Sequence, residues 1–151
     1  KCTSWVVAIP SYDRRSEITA RTLPVLRDGG VPLDRVHVFV DPDDVNSYAS
    51  IAQEFPGVTI HKGEKGICAQ RNFIQAHFKR GQLILEMDDD INGLQMVTRE
   101  GLVDISKQIK AIVDEAFRAM QKERCVLWGV FPVARADWMM RSGEVIVGAT
   151  K

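Results

Sequence analysis

Apolar residues fall along this chain in short unbroken runs, separated by segments where they recur at helical spacing, and the two patterns alternate. The run at residues 5–9 ends in Pro10-Ser11-Tyr12-Asp13 and predicts a buried first strand entering a turn. Residues 16–28 place Ile18, Leu23 and Leu26 among charges and predict a helix stopped by Gly29-Gly30. Residues 36–40 read as a second strand ended by Asp41-Pro42-Asp43-Asp44. A helix over 45–54, a short strand over 58–60 and a helix over 67–79 follow, the last with Ile67, Phe73, Ile74 and Phe78 as core positions. Gly81 precedes a fourth run, residues 83–87, which leads directly into Asp88-Asp89-Asp90. Beyond it, Leu102, Ile105, Ile109, Ile112, Val113, Phe117 and Met120 predict a helix over 101–123 packed on the sheet, with strands expected over 125–133 and 144–148.

Strands and helices alternating through short loops predict an α/β fold with a mostly parallel central sheet and right-handed crossovers. The 151 residues, 45% hydrophobic and 26% charged, suit one globular domain over 1–151, and no repeat or linker divides them. Twenty basic and twenty acidic side chains cancel, so bulk charge attracts the protein to neither nucleic acid nor membrane. No apolar run approaches a membrane span, and Lys1-Cys2-Thr3-Ser4 carries no apolar leader, so the expectation is a cytoplasmic protein. Cys2, Cys68 and Cys125 are odd in number and dispersed, as reduced thiols are, while His37, His61 and His77 have no zinc-like spacing and are expected to be structural.

The acidic triplet changes the picture. Three adjacent like charges at a strand end repel unless donors, water or a metal neutralise them, and the carboxyl ends of parallel strands are where open α/β sheets bind ligands. Alternation along an extended segment would put Asp88 and Asp90 on one side and Asp89 on the other. Oxygen-only ligands suit Mg²⁺ or Mn²⁺ completed by phosphates and water, against the plainer reading of a solvated turn capping the next helix.

The succession Val7-Ala8-Ile9-Pro10-Ser11-Tyr12, Val38-Phe39-Val40-Asp41, Gly66 with Ala69-Gln70-Arg71-Asn72-Phe73-Ile74, and Gly81 through Asp90 resembles the amino-terminal half of GT-A glycosyltransferases, three-layer enzymes that use nucleotide-sugars and carry a DxD motif. The resemblance covers about the first ninety residues. It implies a UDP-sugar donor, with Pro10 and Tyr12 at the uridine, Asp41 accepting from the base N–H, and Arg71 near the base or diphosphate. It also implies Asp88 towards the ribose or sugar and Asp90 on the Mn²⁺ or Mg²⁺, with Asp89 able to take either role. For Tyr12, Asp41 and Arg71 the plain alternatives are turn packing, an Asx turn before Pro42 and a surface ion pair.

PSYDR, the helix carrying Arg71-Asn72, MDDDI, Trp128-Gly129-Val130-Phe131-Pro132 and Val145-Ile146-Val147-Gly148-Ala149 together look like the phage TET-associated DNA glycosyltransferases, which implies hydroxymethylated pyrimidine in DNA as acceptor; Arg14, Arg15, Arg135 and Arg141 are then candidate phosphate contacts, against the plainer reading of arginines that solvate a surface. An inverting transferase needs a general base, commonly a carboxylate some distance beyond the DxD strand, and the plausible acids near the carboxyl end are Asp137 and Glu144, against the plainer reading that each is structural. A nucleotidyltransferase shares the sheet and acidic site but normally has a glycine- and base-rich loop where this chain has Pro10-Ser11-Tyr12-Asp13. A non-catalytic nucleotide-binding module is the third reading.

Overall fold

The computed structural model describes residues 4–130. The expected strands over 125–133 and 144–148 lie wholly or partly outside them, as do Asp137, Glu144, Arg135 and Arg141; residues 125–130 are not strand.

Four strands, β1 (Trp5–Ser11), β2 (Val36–Val40), β3 (Thr59–Lys62) and β4 (Leu83–Glu86), form one all-parallel sheet in the order β3-β2-β1-β4. β1 and β2 are apolar along most of their length because both sheet faces are covered. Val7, Ile9, Val36, Val38 and Val40 enter the larger cluster with Ile18, Leu23, Leu26, Tyr48, Ile51, Val113 and Phe117. Ala8 and Phe39, one residue out of phase, enter a second cluster on the opposite face with Ile74, Phe73 and Phe78. The chain is therefore α/β, with helices on both faces of a parallel sheet.

The first crossover is two helices, α1 (Arg15–Ala20) and α2 (Thr22–Asp28), where one was expected. Pro24 has no N–H for the Ala20 carbonyl and its ring crowds that carbonyl, so the break falls one turn earlier at Arg21 (φ −124°, ψ −84°). The second crossover is likewise two single turns, α3 (Val45–Tyr48) and α4 (Ile51–Glu54). Among the described residues α5 (Ile67–His77) alone covers the second face; it buries Gln70 and Ile74, but Ile67, expected in the core, is 58% exposed. At the first helical position, its side chain borders a cavity.

The expected helix over 101–123 begins only at Ile109. Gln95–Thr98 (β5) and Gly101–Asp104 (β6) form an antiparallel hairpin, and a short turn leads into α6 (Ile109–Lys122). Leu102 reads as helical because it continues the spacing of Ile105 and Ile109, but Gly101 at φ 121° favours a turn there, and Ser106 accepts from the Leu94 amide at 2.8 Å, closing the hairpin's base. α6 lies on the larger cluster, with Trp5 Nε1 donating to Asp114 at 2.7 Å. α2 ends where α6 begins: a Cβ on Gly29 would stand 2.7 Å from the Ser106 carbonyl and 2.9 Å from Ile109 Cβ. Among the described residues no helix is long and apolar enough to cross a membrane.

Candidate functional site

Strand order reverses between β1 and β4, and there the sheet opens. β1 pairs with β4 only as far as Ala8↔Glu86, while its pairing with β2 continues to Ser11↔Val40. The Ala8 carbonyl accepts from Met87 N at 3.1 Å, so Pro10, two residues on, turns its backbone to the same side. Having no N–H, Pro10 gives a continued β4 no donor to pair with, and the strands part. The resulting crevice is a cavity of about 520 Å³ lined by Pro10, Tyr12, Arg14, Asp41, Gln70 and the acidic turn, among others.

The sequence-derived residues converge here. Pro10, Tyr12, Asp41, Asp88, Asp89 and Asp90 all line the cavity. Tyr12 is 63% exposed, its ring free at the rim rather than packed over its turn, and the exposed Ile67 also borders the opening. Asp41 is buried; its Oδ1 accepts from the Asp43 amide at 3.0 Å, so the Asx turn and the cavity position are both realised in one residue. Arg71 stands behind the wall, bridging Glu86 and Asp88 Oδ1, the latter at 3.0 Å.

The triplet is not extended, and the expected two-against-one alternation fails. It turns immediately after β4, and Thr22, the first residue of α2, pins that turn by donating to the Asp88 carbonyl at 3.0 Å and accepting from Ile91 N at 2.9 Å. The side chains divide as Asp88 towards Arg71 and Asp89 with Asp90 towards Arg14, whose Nη1 lies 3.3 Å and 3.0 Å from their carboxylates. Their exposures set their roles: the Asp89 side chain is 8% exposed, against 42% for Asp90 and 60% for Asp88. Asp89 is a wall, accepting from Ser11 Oγ at 2.6 Å, while Ser11 also meets Tyr48 Oη at 2.7 Å. Burial pushes the Tyr48 phenol up, which keeps it a neutral hydrogen-bonding group.

Asp88 and Asp90 are the carboxylates free enough to reach a ligand. Among the described residues no three His, Cys, Asp or Glu side chains form a metal-holding group. Two carboxylates with the rest of the octahedron left to phosphate and water is, however, how Mg²⁺ is commonly held, so the donor set fits such an ion.

Ser11, Tyr48, Thr22 and Gln70 were not singled out in the sequence. Gln70 alone left a trace there: it shares a helix face with Ile74, and a polar residue on an apolar stripe invites a search for its partner. That partner is the loop before α5, where Gln70 Oε1 accepts from Glu64 N at 2.6 Å, and a Cβ on Gly63 would overlap the same amide group. Neither protein-family models nor curated proteins give a match to this chain.

Proposed function

We propose that this protein is a metal-dependent glycosyltransferase of GT-A type that binds a nucleotide-sugar, in first place a UDP-sugar, in the crevice between β1 and β4. The observation that carries the reading is the convergence, on one cavity at the reversal of strand order, of an exposed aromatic ring, a buried carboxylate and an acidic turn. A flat base fits against Tyr12 with Asp41 as acceptor for its N–H, and the glycosyl diphosphate then extends towards Asp88 and Asp90. These two would hold Mn²⁺ or Mg²⁺, which when bound supplies neutralisation of the charge gathering on the departing nucleoside diphosphate. Asp89 and Thr22 fix the turn that presents them, and Arg71 holds Asp88 from behind.

The acceptor is a hydroxyl, and hydroxymethylated pyrimidine in DNA is the acceptor implied by the resemblance at PSYDR and MDDDI. The general base would be sought at Asp137 or Glu144.

Thermal unfolding with UDP-glucose, UDP, ATP and CTP, each with and without Mn²⁺, tests the donor site. Uridine ligands with Mn²⁺ at about 100 times their dissociation constant should stabilise the fold by about 2.7 kcal/mol. An equal response to ATP favours the nucleotidyltransferase reading, and no response to any nucleotide removes the assignment. Uridine binding without donor hydrolysis or transfer to hydroxymethylated DNA favours a non-catalytic module.

A further inference from the structure

Arg14 is the positive charge facing Asp89 and Asp90 at the acidic turn. Its backbone is fixed: it precedes α1, its amide donates to Tyr48 Oη at 3.0 Å, and Asp13 before it takes a left-handed φ of 50° with its own amide on Asp44 Oδ2 at 2.8 Å. From that anchor a half-exposed side chain lies along the cavity wall and places one guanidinium nitrogen between Asp89 and Asp90. It sets one positive charge between two carboxylates that would otherwise repel.

The two arginines at the acidic turn differ in what else they hold. Arg71 also pairs with Glu86, which would keep it in place if Asp88 turned to a ligand. Arg14 has no acidic partner besides Asp89 and Asp90 among the described residues, so losing them leaves a full positive charge in a cavity sized for a nucleotide. Asp89 keeps its Ser11 hydroxyl when Arg14 departs. A guanidinium released beside a diphosphate re-pairs with phosphate oxygens in a charge-assisted, fork-shaped contact.

Resting on the donor-site reading above, we infer that Arg14 is a built-in counter-ion that a divalent cation displaces and a nucleoside diphosphate recaptures, so that metal and diphosphate bind as a coupled pair. Metal alone takes Asp90 from the guanidinium and leaves it only the wall carboxylate of Asp89. Diphosphate alone must draw it off the carboxylates and leave them uncompensated. Together, the metal compensates Asp90 while the diphosphate recaptures the guanidinium, and by linkage each raises the affinity of the other by the same factor.

Titration calorimetry of Mn²⁺ alone, UDP alone and Mn²⁺ in saturating UDP, on wild type and on Arg14→Gln and Arg14→Lys, reads this directly. Wild type should show mutual enhancement of about tenfold or more. Arg14→Gln should bind Mn²⁺ alone several-fold more tightly than wild type while binding UDP in Mn²⁺ more weakly, two shifts of opposite sign that a merely structural arginine would not produce. Arg14→Lys, retaining the charge, should keep most of the coupling. Coupling undiminished in Arg14→Gln, or weaker binding of Mn²⁺ alone, overturns the role given to Arg14 while the donor site stands. No coupled binding in wild type overturns both.

Discussion

Asp89 accepts at Oδ2 from the Ser11 hydroxyl and at Oδ1 from Arg14, whereas among the described residues Asp90 pairs with Arg14 alone and faces outward. Substitution at these neighbours therefore separates folding from binding. Asp89→Ala leaves Ser11 without its acceptor and removes the tie between the turns after β1 and β4, so urea denaturation should show a loss of about 1–3 kcal/mol. Asp90→Asn removes an exposed charge and should hold stability within about 0.5 kcal/mol of wild type. In the same variant Mn²⁺-dependent UDP binding should disappear from calorimetry, and unchanged binding would strike Asp90 from the ligands. Adjacent arginines divide in a similar way: Arg14 reaches the cavity, while Arg15 ties α1 to α4 through Ser50 Oγ, 2.8 Å away, and Glu54.

β2, β3 and α5 bring together three histidines that are far apart in the chain. His37 Nδ1 and His61 Nε2 are 2.9 Å apart, His61 stacks on Phe39 with centroids 4.7 Å apart, and His77 meets His61 edge-on at 4.5 Å. Burial first, then the neighbouring His77 and His37, hold the His61 pKa down to about 4, and burial lowers His37 as well. The unfolded chain, with ordinary imidazoles near pH 6.5, then binds more protons than the folded one between about pH 6.5 and 4. Stability is full above that window and falls as pH drops through it. Chemical denaturation from pH 7.5 to 4.5 should show that slope, and His61→Gln should flatten it; an unchanged slope would place the loss in other groups. The elements themselves were mostly legible from period and punctuation, as at β1, β2 and α6. The β5–β6 hairpin was not, because Leu102, Ile105 and Ile109 mimic a helical stripe that only the positive φ of Gly101 and the Ser106–Leu94 bond interrupt.

The sheet's two faces are covered unequally, by α1 to α4 and α6 on one side and by α5 on the other. Phe117 closes the larger side, tilted against Trp5 with centroids 6.3 Å apart and edge-on to Trp128 at 5.4 Å. Phe117→Ala should cost about 3–5 kcal/mol in urea denaturation. Because α6 contributes nothing to the cavity lining, UDP affinity measured well below the unfolding transition should be retained. Sequence by itself determined the parallel α/β class, the strand that ends in the acidic triplet, and six residues that line one crevice, because hydrophobic period and turn chemistry are local properties. Only the tertiary structure decided that Pro10 opens the β1–β4 seam, that Asp89 is wall and Asp90 surface, and that Arg14 answers the triplet's charge. Each of those depends on which strand lies beside which, a pairing across some 75 residues that no local pattern encodes.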